Sequence, residues 1–200
     1  MMVTGFEGTT LNSQTEDLIV NHHIGGLILF ERNFENPEQL IRLISDLQKL
    51  ALSTPPFVPL FISVDQEGGR VSRLQPHFTK FPTPGCLGNA KSESLAHRFG
   101  LALGQEMRAV GINMDYAPVL DVNTNPENPI IGIRALSDEP EWAAKLGVAF
   151  MHGFREAGVI AVGKHFPGHG DTSQDSHLTL PSVDRDAKTL ESVELVPFQA

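Results

Sequence analysis

The sequence predicts an α/β protein that is built on a parallel sheet. Short apolar runs alternate along the chain with segments of helical periodicity, which is the pattern of repeated βα units. The apolar runs lack the strict alternation of half-exposed strands, as is typical of strands that helices cover on both faces. The predicted strands span residues 2–6, 26–30, 59–64, 113–119 and 160–165.

Helix signals occupy the intervals between these strands. Asn36 supplies an N-cap, Pro37 suits the first turn, and Gln39 completes a capping box. Two later amphipathic segments end at Gly111 and Gly158, because glycine readily adopts the left-handed conformation that closes a helix. The predicted helices span about residues 13–22, 37–50, 95–110, 138–158 and 186–194.

Composition narrows the function classes. The chain has 200 residues, of which 40% are hydrophobic, so one globular domain with its own core is expected. A net charge of −9 argues against nucleic-acid and anionic-membrane partners. The single cysteine, Cys86, excludes an internal disulfide framework. No apolar run reaches membrane-spanning length and the first residues lack signal-peptide features, so we expect a soluble, cytoplasmic protein.

Two topologies fit five strands with four or five helices. A (β/α)₈ barrel needs roughly 250 residues, whereas an open, doubly wound sheet of five strands fits a shorter chain. Length alone therefore favours the open sheet.

Polar, glycine-rich segments follow the last three predicted strands, where α/β proteins place their active sites. These segments span residues 65–73, 121–134 and 164–177. The last segment is the densest, because it holds three of the eight histidines. Its prolines and glycines exclude a regular helix, so we predict a long functional loop.

Three interpretations of this loop compete. A metal site would draw its ligands from His165, His169, Asp171, Asp175 and His177. However, Pro167 and Gly168 prevent the helix on which a His-x₃-His pair converges on zinc. The histidines could instead be purely structural. In the third interpretation, Asp175 and His177 form a dyad, because residues two apart in an extended chain share one side. The carboxylate would then fix the tautomer of a histidine suited to proton transfer.

The residues of this loop also carry a family resemblance. The segment KHFPGHGDTSQDSH at 164–177, followed by Leu180 and Pro181, strongly resembles the signature of glycoside hydrolase family 3 β-N-acetylglucosaminidases. The resemblance extends to GGLILF at 25–30, DQEGGRV at 65–71, MDYAPVLDVN at 114–123 and ELVPF at 194–198. The single-domain bacterial enzymes of this family are similar from the N-terminus onwards, and they are cytoplasmic enzymes of peptidoglycan recycling.

The resemblance implies a fold that differs from the one favoured by length. Members have a (β/α)₈ TIM barrel, of which this chain would cover about the first five βα units. Residues 1–200 would then be a family 3 N-terminal catalytic barrel domain that is incomplete at its C-terminal end. The nucleophile of the family is an aspartate on a later strand, so we expect it beyond Ala200.

The resemblance also assigns roles to individual residues. It makes His177 the general acid/base and Asp175 its partner. The residues expected to bind the terminal sugar are Asp65, Arg73, Arg134, Lys164 and His165. It implies no metal and no cofactor, and we expect a monomer.

Structural alternatives remain open for several of these residues. Asp65 could cap the turn at Gly68 and Gly69, while Arg73 and Arg134 could form salt bridges. Lys164 and His165 are consecutive, so a regular strand would send only one of them towards the centre of a barrel. Glu67 and Arg70 are predicted to form a buried pair within their turn, and His169 to order its loop.

The leading hypothesis is hydrolysis of terminal, non-reducing β-linked N-acetylglucosamine from anhydro-muropeptides by a retaining double displacement. Phosphorolysis of the same glycosides is the nearest alternative, since a histidine acid/base does not repel phosphate. A metal-dependent hydrolase or deacetylase and a non-enzymatic sugar-binding module represent other classes.

Overall fold

Five parallel strands form the main sheet of the computed structural model, which describes residues 2–173, 183 and 185–200. Each strand pairs with the strand of this sheet that follows it in the sequence. The strands are β1 Val3–Gly5, β2 Gly26–Leu29, β3 Phe61–Val64, β6 Met114–Asp115 and β7 Ile160–Ala161. All five lie within the predicted strand segments, so the predicted parallel sheet is confirmed.

A small antiparallel hairpin directly follows β3 and was not predicted. It consists of β4 Gln66–Gly68 and β5 Val71–Ser72. Gly68 at the end of β4 and Gly69 after it have positive φ angles, +97° and +60°, which turn the chain back on itself.

Helices fill the intervals between the strands as predicted, with two additions. The helices are α1 Ser13–Val20, α2 Pro37–Ser53, α3 Gly85–Ala90, α4 Glu93–Ala109, α5 Pro140–Ala157, α6 Ala187–Ser192 and α7 Val196–Gln199. The short helices α3 and α7 were not predicted, because six and four residues are too few for periodicity to emerge. Among the described residues, no helix has both the length and the apolar character needed to cross a membrane.

The start of α2 shows how local sequence fixes an element. The side chain of Asn36 accepts a hydrogen bond from the N–H of Gln39 at 2.9 Å, as an N-cap should. The predicted capping box is wrong in one detail, because Gln39 accepts from the N–H of Glu35 rather than from that of Asn36. The amide group of Gln39 also donates to the carbonyl oxygens of Thr9 and Asn33. These contacts hold the Gln39 side chain beside the N–H of Glu35, one residue before the N-cap.

The core lies between the sheet and the helices, and its largest packed unit is the α4–α5 pair. Phe150 of α5 packs against Phe99 of α4 and against Phe154, with ring centroids 5.4 and 4.9 Å apart. A Cβ atom at Gly100 would overlap the carbonyl oxygen of Phe150, so glycine is what allows the two helices to approach this closely.

The regular ladder between β6 and β7 is shorter than predicted. The N–H of Val162 is shared between the carbonyl oxygens of Asp115 and Ala117, which interrupts the one-to-one pairing. A single further bridge joins Val119 to Lys164. The chain beyond β7 therefore stays beside the chain beyond β6, and this brings residues 119–121 next to residues 164–165.

Candidate active site

The carboxyl ends of β3, β6 and β7 bring together four charged side chains that we call the floor cluster. Asp65 follows β3, Glu67 lies in β4, Lys164 follows β7, and Arg134 ends a short 3₁₀ turn at Gly132–Arg134. Two carboxylates and two cations give the cluster a formal charge of zero. Three of its members, Asp65, Arg134 and Lys164, were predicted to bind substrate.

Glu67 is the centre of the floor cluster, although sequence reasoning gave it a different partner. Its carboxylate receives two hydrogen bonds of 2.8 Å from Arg134, from Nε and from Nη2. Nζ of Lys164 lies 2.6 Å from Oε1 of Glu67 and 2.6 Å from Oδ1 of Asp65. The side chain of Glu67 is only 1% exposed, so these cations neutralise a charge that has left water.

The predicted Glu67–Arg70 pair is wrong. Arg70 donates instead to the carbonyl oxygens of Pro129 and Ile130 on the surface. The reason is strand geometry, because Asp65 and Glu67 are two residues apart and share the side that faces Lys164. That spacing was the available signal for the role of Glu67.

The charges of the floor cluster stabilise each other strongly enough to shift their ionisation. Burial by itself raises the pKa of Glu67, but the hydrogen bond from Arg134 and the charges of Lys164 and Arg134 outweigh it, so this pKa lies below its ordinary value. Burial lowers the pKa of Arg134, but the hydrogen bond to Glu67 and the charges of Glu67, Asp121 and Asp65 together outweigh it, so this pKa lies above its ordinary value.

Lys164 and His165 both face the floor cluster even though they are consecutive. The peptide bond between them is cis. Nε2 of His165 lies 3.5 Å from Nη2 of Arg134, and Nδ1 of His165 lies 2.6 Å from Oδ2 of Asp121. The His165 side chain is 34% exposed, so its ring is open to a ligand.

Arg73, also predicted to bind substrate, contacts residues outside the floor cluster. Its guanidinium lies 3.5 Å from the carboxylate of Glu31, and its backbone N–H donates to the side chain of Gln66. Together with Phe30 and Arg32, Arg73 and Glu31 line an open cavity of about 390 Å³. Arg73 therefore forms a salt bridge and is still accessible to a ligand.

Asp65 does not cap the Gly68–Gly69 turn among the described contacts, because its carboxylate pairs with Lys164.

A fully buried acid, Asp115 at the end of β6, was not predicted as a site residue. One of its oxygens accepts the N–H of Gln66 at 2.9 Å, and the other has no partner among the described residues. Burial raises the pKa of Asp115 well above its ordinary value. The charges of Asp65, Glu67 and Lys164 are close enough to act on it.

A second group of polar and charged side chains joins the segments on either side of residues 174–184, and we call it the stem cluster. It contains Thr124, Asp171, Arg185 and Glu194. Arg185 contacts Asp171 through Nη2 at 2.5 Å and through Nε at 3.0 Å, and it donates to Thr124 at 2.9 Å. The hydrogen bond from Arg185 holds the pKa of Asp171 below its ordinary value. The predicted catalytic pair, Asp175 and His177, lies outside the described residues.

The chain that enters the loop is fixed against residues 122–128. Asn128 donates to the carbonyl oxygens of His169 and Gly170, and Nδ1 of His169 contacts the hydroxyl of Thr172. A Cβ atom at Gly170 would overlap the carbonyl oxygen of Val122. His169 thus lies within a network that fixes residues 169–172, and its role in ordering the rest of the loop stays a prediction.

The exposed groups of the site suit a neutral, hydroxylated ligand. Carboxylates accept hydrogen bonds from hydroxyl groups, ammonium groups donate to hydroxyl oxygens, and the imidazole can do either. The balanced charge of the floor cluster favours neither anions nor cations. Among the described residues, no three His, Cys, Asp or Glu side chains are arranged to hold a metal ion.

Comparison with known proteins identifies relatives along the whole chain. The glycosyl hydrolase family 3 N-terminal domain matches residues 2–200. A β-hexosaminidase of Alkalilimnicola ehrlichii is 43% identical over 99% of this chain and 57% of its own length. β-Hexosaminidase A of Pseudoalteromonas piscicida is 42% identical over 95% of this chain and 32% of its own length.

Solved structures give the same result. A family 3 β-N-acetylglucosaminidase from Paenibacillus sp. matches with a TM-score of 0.95 and 45% identity, over 98% of this chain and 37% of that one. NagZ from Neisseria gonorrhoeae, solved in complex with N-trifluoroacetyl-D-glucosamine, matches with a TM-score of 0.91 and 36% identity, over 99% of this chain and 59% of that one. The chain spans about one third to three fifths of the length of these relatives.

Proposed function

The chain belongs to the family of glycosyl hydrolase family 3 N-terminal domains, and from this premise we propose that the protein is a glycosidase that removes terminal, non-reducing β-linked N-acetylglucosamine. Its five βα units are part of a (β/α)₈ barrel, as the resemblance implied, and the open sheet that length alone favoured is wrong. The relatives named β-hexosaminidase support the proposed activity.

The floor cluster is the observation that carries this proposal. Lys164 is held between Asp65 and Glu67 at 2.6 Å from each, and Arg134 fixes the other side of Glu67. A donor and an acceptor are thus held in place at the carboxyl end of the sheet before any ligand arrives, which lowers the entropy cost of binding a sugar. We propose that Asp65, Arg73, Lys164 and His165 contact the sugar and that Arg134 does so beside His165.

For the chemical step we propose a retaining double displacement. An aspartate beyond Ala200 attacks C1, and His177, paired with Asp175, protonates the departing glycosidic oxygen. The bond from C1 to that oxygen breaks and a glycosyl-enzyme ester forms. His177 then removes a proton from water, which attacks C1 and releases the sugar with its configuration retained. No metal or cofactor takes part in this scheme.

Within this activity we propose that the substrates are N-acetylglucosamine-containing peptidoglycan fragments and that the enzyme acts in the cytoplasm as a monomer. Similarity to gonococcal NagZ, bound in its structure to N-trifluoroacetyl-D-glucosamine, supports a monosaccharide of this type in the floor cluster. The resemblance to single-domain recycling enzymes supports the choice of muropeptides.

The test is an assay of the complete protein with an aryl N-acetyl-β-glucosaminide. We expect turnover that is insensitive to chelators, initial release of the β-anomer by NMR, and free sugar rather than sugar phosphate when phosphate is present. Asp65→Asn should lower kcat/KM by about tenfold or more, because it removes a charged hydrogen bond. Asp46→Asn, on the exposed face of α2, is the matched control. A sugar phosphate, released acetate or loss of activity with chelator would contradict this proposal.

The role of His177 has its own test. His177→Ala should slow glycosides with poor leaving groups by about 10²–10⁴-fold, the usual contribution of general acid catalysis. Aryl glycosides of acidic phenols scarcely need protonation, so their first step should fall much less. Equal losses for both substrates would remove His177 from the acid role.

A further inference from the structure

Asp121 is a buried carboxylate that lies behind the binding residues without joining the floor cluster. It is 0% exposed. Oδ1 accepts the backbone N–H of His165 at 3.1 Å and that of His169 at 2.7 Å. Oδ2 lies 2.6 Å from Nδ1 of the His165 ring. The two backbone N–H groups can only donate, so Oδ1 is the acceptor in both contacts, whereas the role of the ring nitrogen depends on the tautomer of His165.

This arrangement determines where the His165 ring carries its proton. A carboxylate can only accept, so the contact with Oδ2 requires a proton on Nδ1. On the other side of the ring, Nη2 of Arg134 lies 3.5 Å from Nε2. A guanidinium has donors only and is positively charged, so its position disfavours a proton on Nε2, while 3.5 Å is long enough to leave the Nε2 lone pair to a closer donor. The two neighbours therefore select the same tautomer from opposite sides.

We propose that Asp121 is a positioning residue that keeps the proton of His165 on Nδ1 and so presents Nε2 to the substrate as a hydrogen-bond acceptor. The inference rests on the proposed function, because the group that Nε2 would accept from is a hydroxyl of the bound sugar. Since Asp121 is fully buried, it does not touch the ligand and acts on it through His165. The His165 ring, at 34% exposure, is the part that reaches the ligand.

The Nε2 acceptor complements the hydrogen-bonding groups of the neighbouring residues. Lys164 has donors only, and its Nζ is already shared by two carboxylates. Asp65 accepts, but one of its oxygens contacts Lys164. An Nε2 lone pair adds an acceptor without adding charge. The site can therefore receive a further hydroxyl proton while the floor cluster stays neutral.

Asp121→Asn tests this inference because the substitution should reverse the tautomer of His165. The single carbonyl oxygen of asparagine is needed for the N–H groups of His165 and His169, so its NH₂ group would face Nδ1. Nδ1 must then accept, and the ring proton moves to Nε2. We would measure binding of N-acetylglucosamine and of its 3-, 4- and 6-deoxy analogues to the complete protein, with Asp46→Asn as the matched control.

In the wild type and in Asp46→Asn, one deoxy analogue should bind about tenfold more weakly than N-acetylglucosamine, the cost of an acceptor left unpaired. In Asp121→Asn, N-acetylglucosamine itself should bind about tenfold more weakly, and removal of that same hydroxyl should change affinity by less than about twofold. A structural role alone would weaken all four sugars and preserve the selectivity. Unchanged selectivity in Asp121→Asn therefore overturns the inference.

A second measurement covers the case in which Asp121→Asn does not fold. The nitrogen chemical shifts of the His165 ring in the wild-type protein should show a protonated Nδ1 and an unprotonated Nε2, and the reverse pattern overturns the inference. Failure of the proposed function looks different. If the wild type binds none of the four sugars, the proposed function is contradicted, and so is the assignment of a sugar hydroxyl to Nε2. If the wild type binds the sugars selectively but the His165 ring carries its proton on Nε2, only the proposed role of Asp121 is contradicted.

Discussion

The floor cluster and the stem cluster lie at the same end of the sheet, but they are built differently. In the floor cluster, two carboxylates that follow β3 balance two cations, one from the end of β7 and one from the turn at Gly132–Arg134, and both oxygens of Glu67 are hydrogen-bonded. In the stem cluster, Arg185 faces two carboxylates. Its Nε lies 3.0 Å from Glu194, yet neither oxygen of Glu194 makes a well-formed hydrogen bond among the described residues.

The difference indicates how each cluster obtains its position. The strands that carry the floor cluster are fixed by backbone pairing, so its charges are preorganised. In the stem cluster, a single arginine connects chain on both sides of residues 174–184, and side-chain contacts bring the two segments together. The floor cluster is therefore suited to binding, while the stem cluster is suited to holding the segments before and after residues 174–184 together.

The largest effect should come from removing the centre of the floor cluster. Glu67→Ala leaves Arg134 and Lys164 without their shared carboxylate, and breaking a buried pair in this way costs about 3–5 kcal/mol. Denaturant unfolding of the complete protein would measure this loss, with Glu67→Gln as the variant that keeps shape and removes charge. A loss below about 1 kcal/mol would mean that the floor cluster is no more preorganised than a surface ion pair.

Breaking the stem cluster should affect the reaction rather than binding. Arg185→Ala removes the contacts that join the segments before and after residues 174–184, which include the proposed acid/base His177, and misplacing a catalytic group by about 1 Å can cost about 100-fold. We expect kcat to fall by about that factor for glycosides with poor leaving groups and much less for those of acidic phenols. N-acetylglucosamine affinity should not change, and Arg185→Lys should recover part of the rate.

If Arg185→Ala lowers the rate and the affinity for N-acetylglucosamine together, the proposed division between a cluster for binding and a cluster for the reaction is contradicted. Asp171→Asn provides the reciprocal variant, because it removes the partner of Arg185 without touching the guanidinium. We expect it to reproduce the dependence on leaving group with a smaller effect.

The charge balance of the floor cluster can be tested through Asp115. Its pKa is raised by burial, so the folded state disfavours the ionised form, and stability is lost as pH rises from its unfolded value of about 3.9 towards the folded value. Asp115→Asn should therefore be more stable than wild type at pH 7, with no advantage below about pH 4. Thermal unfolding across this range is the measurement.

The contribution of Glu67 to stability should change with pH in the opposite direction to that of Asp115. Its pKa is lowered in the folded state, so its stabilisation is present above the unfolded value of about 4.3 and is lost as pH falls through the folded value. The stability gap between wild type and Glu67→Gln should narrow in acid. Parallel pH profiles for the Asp115 and Glu67 variants would contradict the electrostatic account of the floor cluster.

The smallest effect should come from the exposed contact between Arg73 and Glu31. Glu31→Gln removes an ion pair of 3.5 Å, and such pairs contribute about 0–1 kcal/mol to stability. We expect little change in the unfolding midpoint, while Arg73→Ala weakens binding of N-acetylglucosamine. If Arg73→Ala changes stability but not affinity, the role of Arg73 is structural.

Sequence patterns predicted the elements of the fold better than their boundaries. Apolar runs and helix caps located all five strands and the long helices, because these signals are local. The hairpin at residues 66–72 was missed because Gln66 and Glu67 are polar residues in a buried strand. The choice between barrel and open sheet depended on the family resemblance, since five βα units look alike in both.

For the candidate site, the sequence predicted which segments matter but not which atoms meet. The predicted residues Asp65, Arg134, Lys164 and His165 lie together, because the carboxyl ends of parallel strands converge. Glu67 and Asp121 were missed as site residues because each depends on partners far along the chain. Asp175 and His177 remain predictions.

The order of the strands has a consequence for how the chain acquires its site in time. Each strand of the main sheet pairs with the strand of that sheet that precedes it in the sequence. When the chain grows from its N-terminus, the partner of each new strand has therefore already been synthesised. The ion pair between Asp65 and Lys164, by contrast, spans 99 residues. The scaffold can therefore accumulate unit by unit during synthesis, whereas the floor cluster stays incomplete until the fifth strand has been added.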